Sequence, residues 1–527
     1  MTERLDALTS WHEDWTGLRV AVLGLGVTGF SVADTLMELG VTTTVFSEQT
    51  DLASASAMES VEREDLLTVI GAGLYQPSVG QTLKGAAATA ALANFRPDLL
   101  VVSPGFAPNH ELVLWARDNA VTAWGDVELA WRLRDKVTRQ NASGKLVAAE
   151  WFTVTGTNGK TTTVRLATAM FAAAGHRVIA CGNVGVPILD AIRDPQGYDA
   201  LVVELSSFQL HYTHTVSAHS SVCLNLADDH LDWHGGADSY AAAKAKVYAN
   251  TRISCVFNRD DAVTRTMVED AEVVEGCRAI GFGLAVPGPS DFGVVSDYLL
   301  DRAFLAERHT GAIEITSVEQ LAAVGLDAPH LVSDVLAAAA LARSFDVSPE
   351  RIRHALASFR IDNHRLQTVA TVGKISWVDD SKATNPHAAR AALASFESVV
   401  WIVGGLFKGV DLGQTIEFAL PRLRAVVLIG LERSELRDLF ARHAPQTPVL
   451  EVASNDTGEV MVSAVRLAAS LARSGDTVLL APAAASMDQF IDYADRGRQF
   501  TAAVRNLLGV ESHGQAQPSE APASTDE

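Results

Sequence analysis

The sequence predicts an α/β protein of three domains, each a mostly parallel sheet flanked by helices: Rossmann-like at the N-terminus, P-loop-type in the centre and Rossmann-like at the C-terminus. Three observations carry this reading. Short apolar, β-rich runs alternate with helix-forming stretches along the chain. Two of those runs end in glycine loops that open helices, GLGVTG at Gly24–Gly29 and TGTNGKTT at Thr155–Thr162. And 527 residues, 48% of them apolar, exceed what one core accommodates. The expected domains are 1–125, 126–361 and 362–512, with a Pro/Ser/Glu-rich tail, 513–527, expected to be disordered.

The elements follow in order. Leu18–Gly24 (LRVAVLG) is a buried-type strand running into GLGVTG and a helix that ends near Gly40. Strands follow at Val41–Phe46 and at Leu99–Ser103, the latter closed by Pro104-Gly105. The polar stretch Arg134–Lys145 reads as a linker. The next strand, Trp151–Val154, enters the second glycine loop, whose helix ends at Gly175. Strands are expected at Leu201–Leu205 and Val222–Leu226, a helix at Ser239–Asn250 capped by Asp238 or Ser239, and an Ala-rich helix at Asp334–Phe345. Beyond Asp362, strands are expected at Lys374–Val378, Val399–Val403, Ala425–Ile429 and Thr477–Leu480. No internal repeat is present.

Composition excludes several classes. A formal charge of −21 argues against a nucleic-acid groove. The four cysteines, Cys181, Cys223, Cys255 and Cys277, form no CxxC pair and read as reduced thiols. The segment MTERLDALTSWHEDW lacks an apolar signal core, and no run approaches the ~20 apolar residues of a membrane span. A cytoplasmic monomer is expected.

The chemistry sits at strand ends. In TGTNGKTT, backbone N–H groups of Gly156, Thr157, Asn158, Gly159 and Thr162 can cradle phosphates at a helix N-terminus. Lys160 would lie on the β/γ-phosphates, and Thr161 would reach a Mg²⁺. Only Thr157 and Asn158 separate the two glycines, so the loop is shorter than the usual P-loop. Glu204 of VELSSFQL sits at a strand end beyond three apolar residues, and Asp228, Asp229 and His230 follow another strand; either cluster is a metal or acid–base site or a solvated turn. Lys244, taken alone, reads as an ordinary helix lysine. GLGVTG alone admits a nicotinamide reading, with Ser47-Glu48 at the end of the second strand. DDSKATNP (Asp379–Pro386) ends a strand with two acids and Lys382, before a helix that Asn385 would cap. GGLFKG and APAAASMDQF add Lys408 and Ser486 at neighbouring strand ends, a set suited to a small acidic substrate.

Together TGTNGKTT, CGNVG, ELSSFQL, DDH, HR and DSKATN resemble the Mur ligases, ATP-dependent amide-bond ligases of peptidoglycan precursor synthesis. The resemblance runs from about Gly17 to Gly509, and DSKATN with GLGVTG and SMDQF is most like the D-glutamate-adding member. It implies that Gly26, Val27, Thr28, Ser103 and Gly105 hold the UDP moiety of UDP-N-acetylmuramoyl-L-alanine. It implies ATP contacts from Gly156 to Thr162 and from Asn183, Arg365 and Asp380. It implies Mg²⁺ held by Thr161, Glu204, His230 and Lys244, the last as a carbamate, and catalytic roles for Lys160, His230 and Lys244. Lys382, Thr384, Lys408, Ser486 and Tyr493 would surround D-glutamate. Two positions depart from the family pattern. His330, Leu331 and Asp334 stand where relatives carry His-Asn-x-x-Asn, and Ser47 stands where many have Asp. The rivals are a folate polyglutamylation ligase, a dehydrogenase built on Gly24–Gly29 and a catalytically inert nucleotide switch.

Overall fold

The computed structural model describes residues 2–48, 55–77, 82–141, 143–361, 363–407, 410–431, 433–454 and 456–509. Lys408 and the tail 513–527 lie outside the described residues. The chain divides into two compact units, Met1–Ile361 and Asp362–Glu527.

The first unit holds two large sheets. The N-terminal sheet has five parallel strands, Arg19–Leu23, Thr42–Phe46, Gly73–Tyr75, Leu99–Val102 and Thr122–Trp124, in the spatial order 3-2-1-4-5. Leu99–Val102 is buried at every position, as expected for a parallel strand covered on both faces. The order reverses between the first and fourth strands, which opens a crevice at their carboxyl ends, where Gly24 and Ser103 follow.

The central sheet has nine strands, in the order 9-8-7-6-5-4-1-3-2 counted along the chain from Glu150–Thr155 to Ile313–Ser317. Its last three strands pair antiparallel and were not legible as strands in the sequence. The loop strand Glu150–Thr155 lies between Ala200–Glu204 and Ser220–Cys223, so the three chemistry-bearing strand ends are neighbours. Phe152, Val154 and Phe171 pack with Leu336, Ala337 and Ala340 of the Ala-rich helix in one core. That helix spans Pro329–Arg343, five residues earlier than its Ala run suggests, because Pro329 serves at its first position. The helix expected at Ser239–Asn250 is Ala237–Ala245 followed by a 3₁₀ turn, Lys246–Tyr248. Its N-cap is Gly236, at φ +145°, rather than Asp238 or Ser239. The tightened end follows from Tyr248, whose buried hydroxyl donates to the Val256 carbonyl (2.7 Å) and accepts from the Cys223 N–H (3.0 Å).

Two polar clasps join these sheets. The buried Glu128 carboxylate pairs with Arg132 (2.8 Å) and accepts from the His214 and Thr215 N–H groups and the Thr215 hydroxyl. Burial opposes its charge, but the Thr215 and His214 hydrogen bonds outweigh it and lower its pKa. Arg193 spans Asp34 (2.6 Å), Glu38 (3.3 Å) and Asp190 (2.9 Å), tying the GLGVTG helix Val27–Glu38 to the helix Ile188–Ile192.

The second unit has a six-stranded sheet in the order 1-2-6-3-4-5, parallel except for its first pair, Gln367–Val372 and Ile375–Asp379. The adjacent second, sixth and third strands end in DSKATN, APAAAS and GGLFKG. Among the described residues, no helix is long and apolar enough to cross a membrane.

Candidate active site

The phosphate loop is shaped by close backbone approaches. Gly159 caps the helix Lys160–Ala173 at φ +84°, and a Cβ there would stand 2.3 Å from Asp334 Oδ1. Asn225, in the loop after Ser220–Cys223, holds the turn from the side. Its carbonyl accepts from the Thr157 N–H (3.0 Å), its Oδ1 from the Asn158 N–H (2.9 Å), and its Nδ2 donates to the Asn158 carbonyl (3.1 Å). The Thr157 hydroxyl meets Tyr240 (3.0 Å) and the Ala227 backbone. Lys160 Nζ donates to the carbonyls of Gly156 (2.8 Å) and Thr157 (2.9 Å).

Lys244 departs from the solvated environment its helix sequence suggests. It is 2% exposed, and its Nζ donates to the Gly156 carbonyl (2.8 Å) and the Thr155 hydroxyl (3.3 Å), beneath the phosphate loop. Burial, reinforced by the Lys160 charge, pulls its pKa down to about 7, against the opposing pull of Cys223, Asp229 and Glu204. A solvated helix lysine would show none of this.

Glu204 ends its strand 2% exposed. Asn183 Nδ2 donates to its Oε1 (3.0 Å), while Oε2 is buried without a hydrogen-bond partner. The Asn183 N–H bonds the Glu204 carbonyl (2.8 Å), an approach that Gly182 permits at φ +106°, since a Cβ there would lie 2.4 Å from that oxygen. His230 caps a short helix at φ +53°, 3.7 Å from Asp229 Oδ2 and edge-on to Phe208. Among the described residues, no three His, Cys, Asp or Glu side chains converge as a ready metal cluster. An orphaned carboxylate oxygen with few further protein ligands fits Mg²⁺, which commonly takes one or two carboxylates plus substrate phosphates and water. The buried Thr162 hydroxyl also has no partner, beside Thr161 at the helix start.

In the N-terminal crevice the three glycines divide the work. Gly24 turns at φ +95°, and a Cβ on Gly29 would sit 2.0 Å from the Gly24 carbonyl oxygen. Gly26 faces open space, so a ligand backbone or phosphate can approach it. Val27 is exposed, and Ser103 lies against Gly24 and Gly29. Beyond them a cavity of about 550 Å³ is lined by Glu48, Lys84, Gly105, Phe106, Asn109 and His110. Glu48 is fixed there by the Leu83 N–H (2.9 Å). Gly29→Ala should force the helix away from the first strand, a cost of about 1–3 kcal/mol. The expected result is a lowered Tm and, on the UDP site that the Mur ligase resemblance implies, a sugar-nucleotide KM raised on the order of tenfold, with the ATP KM unchanged. Calorimetry and steady-state kinetics check it.

In the second unit, Asn385 caps the helix that starts at Pro386, accepting from the Ala388 N–H (2.9 Å), as its sequence suggested. Lys382 Nζ stands 5.2 Å from the centre of the Tyr493 ring. Ser486 is buried, and the loops bearing Ser486 and Lys408 are laced together by Leu406 and Ala485 exchanging backbone hydrogen bonds (2.9 and 3.0 Å). Gly404 and Gly405 allow this, since a Cβ on either would strike a carbonyl at 2.0 or 2.2 Å. Asp380 is buried and accepts from the Leu366 N–H (3.1 Å); burial lifts its pKa to about 7, against that bond and the Arg365 charge. Arg365 Nε is buried without a hydrogen-bond partner. Thr384 lies in the same turn, its N–H bonded to the Lys382 carbonyl (2.9 Å).

Sequence reasoning missed Asn225, Tyr240, Asp334 as a neighbour of Gly159, and Arg496. Arg496 is wholly buried and clamps Ser381 and the Ala484 carbonyl together. Asn225 had a faint signal, a polar residue between two leucines at a strand end. Arg496 had none, because arginine in an amphipathic helix normally reads as surface.

Residues 154–342 match the Mur ligase middle domain, and residues 364–484 match the Mur ligase glutamate ligase domain. The chain is 58% identical over 512 residues to a UDP-N-acetylmuramoylalanine–D-glutamate ligase of Leifsonia xyli subsp. xyli, covering 96% of each. It is 46% identical over 494 residues to the protein of the same name from Streptomyces coelicolor, covering 94% of this chain and 99% of that one. In fold it is similar to a MurF ligase from Thermotoga maritima solved with ADP, at a TM-score of 0.50 and 16% identity over 96% and 99% of the two chains.

Proposed function

Because the chain belongs to the Mur ligase family, we propose that it joins D-glutamate to UDP-N-acetylmuramoyl-L-alanine at the expense of ATP, in peptidoglycan precursor synthesis. The observation that carries this is the likeness to relatives of that name over 96% of the chain, which takes in GLGVTG, TGTNGKTT and DSKATN together. A dehydrogenase reading would leave the last two without a role. A folate ligase reading would leave the first domain without one.

The reaction has two steps. The terminal carboxylate of the sugar nucleotide attacks the γ-phosphorus of ATP, giving an acyl phosphate and ADP. The D-glutamate amine then attacks the acyl carbon, and phosphate leaves. Gly156–Thr162 hold the phosphates, with Lys160 as the cation aimed at the transferred group. Asn183, Arg365 and Asp380 are assigned to the nucleotide, and Gly26, Val27, Thr28, Ser103 and Gly105 to the UDP moiety. Thr161, Glu204, His230 and Lys244, the last as a carbamate, would hold Mg²⁺, which when bound neutralises phosphate charge. The buried Glu204 oxygen and the lowered Lys244 pKa support that set. His230 is the candidate to take the amine proton. Lys382, Thr384, Lys408, Ser486 and Tyr493 are assigned to D-glutamate.

The test is ADP release with UDP-N-acetylmuramoyl-L-alanine and a panel of amino acids. D-glutamate should support turnover; L-glutamate and alanine should not. Equal rates with both enantiomers would remove the assignment. Lys382→Ala should cost about 1.5–3 kcal/mol of charge-assisted binding. That is a D-glutamate KM raised on the order of ten- to a hundredfold, while the ATP KM moves little.

A further inference from the structure

Two cysteines that the ligase chemistry does not use lie against each other. Cys255 is on the strand Ser254–Asn258 and Cys277 enters the next strand, Arg278–Phe282, with Ser254 paired to Arg278. Their sulfurs are 3.8 Å apart. Both segments are pinned. The turn into Cys277 is closed by its N–H on the Val274 carbonyl (3.0 Å), with Gly276 at φ +92°. Val274 N–H bonds Thr251 (3.0 Å), and Arg278 N–H bonds Ile253 (2.9 Å). The sulfurs are therefore held within a short movement of the ~2.05 Å of a disulfide.

The two thiols are unequal. Cys255 is 2% exposed, whereas Cys277 is half-buried, behind a turn whose Val273, Val274, Glu275 and Gly276 are exposed. The Cys255 thiol and the N–H groups of Cys255 and Arg278 stabilise a Cys277 thiolate, lowering its pKa, while the contact with Cys277 and burial raise that of Cys255. An accessible low-pKa thiol beside a second, sheltered one is the arrangement of an oxidisable pair.

We infer that Cys255 and Cys277 are a dithiol site that hydrogen peroxide oxidises to a disulfide and that a dithiol reductant restores by thiol–disulfide exchange. The Cys277 thiolate attacks one peroxide oxygen; the O–O bond breaks, and the other oxygen leaves as hydroxide and takes up a proton to become water. The Cys277 sulfenic acid is then attacked by Cys255 sulfur, which gives up its proton as the S–O bond breaks and a second water leaves. Sulfur loses two electrons overall, and the peroxide gains them. The product ties the strand Ser254–Asn258 to the turn. The other end of that strand supports the phosphate-loop side of the sheet, where Asn258 Nδ2 donates to the Leu224 carbonyl (2.9 Å) and Asp261 accepts from the Leu226 N–H (2.7 Å).

The test treats the full chain with hydrogen peroxide and maps peptides by mass spectrometry before and after dithiothreitol. A linked Cys255–Cys277 peptide pair that dithiothreitol releases is expected, with Cys181 and Cys223 still alkylatable after denaturation. Both of these are buried, and their thiols are pushed up to about 12 and 11 by burial. Cys255→Ser should stop at a sulfenic acid on Cys277 that dimedone traps. Cys277→Ser should show no dimedone adduct on Cys255. Peroxide that leaves both thiols free in the wild-type chain, or that oxidises Cys181 or Cys223 first, would overturn the inference. The readout is independent of ligase activity.

Discussion

Lys160→Ala should leave a folded protein that no longer releases ADP. Lys160 opens the helix Lys160–Ala173 and is the cation of the glycine loop. Phosphoryl transfer offers a protein little to do beyond positioning and charge neutralisation, so losing one preorganised contact to the transferred group costs on the order of 10²–10³ in kcat or more. The structural cost should be limited. Lys160 bonds two part-buried carbonyls of its own loop, each such charge-assisted bond worth roughly 1.5–3 kcal/mol at most, so the melt should shift down without loss of the fold. The measurement is ADP release beside a thermal melt. A folded variant with wild-type turnover would sink the assignment of Thr155–Thr162 to ATP.

The second large effect is expected at Lys244. Carbamylation needs a neutral amine, and burial lowers the Lys244 pKa to about 7, which makes that form accessible near neutral pH. Conversion to a carbamate turns a buried cation beneath the phosphate loop into an oxygen donor. Lys244→Ala should therefore lose on the order of 10²-fold or more in kcat, and a short acid such as acetate should restore part of it. Wild-type activity in bicarbonate should fall as pH drops through about 7, where the amine takes up its proton. The stability sign follows from the same shift. Between about 7 and the ordinary value of 10.5 the unfolded chain binds more protons than the folded one, so the contribution of the uncarbamylated lysine to stability rises with pH across that window. Full activity in Lys244→Ala without added acid would return this residue to a structural role.

What was legible in the sequence was local. TGTNGKTT announces itself because its glycines, lysine and helix start lie within eight residues. The Asn385 cap and Pro386 were legible for the same reason. The partners that hold the loop were not, since Asn225 and Asp334 come from distant segments and reach it only once the sheet has formed. Lys244 shows the limit most sharply. Its neighbours in sequence, AAAKAK, describe a solvated helix, and only the packing of that helix beneath the loop buries it. The 3₁₀ turn after it was missed because the Tyr248 hydroxyl is tied to Cys223 and Val256, both outside the helix.

The Arg193 clasp has a consequence for how the first chemical step is laid out. It joins the helix of the GLGVTG loop to a helix of the sheet that carries TGTNGKTT, within Met1–Ile361. On the assignment above, the UDP-binding residues and the phosphate loop are thus carried by Met1–Ile361, while Arg365, Asp380 and the residues assigned to D-glutamate belong to the other unit. On that assignment the clasp sets how the UDP-binding residues face the phosphate loop, and the unit assigned to D-glutamate has no part in setting it.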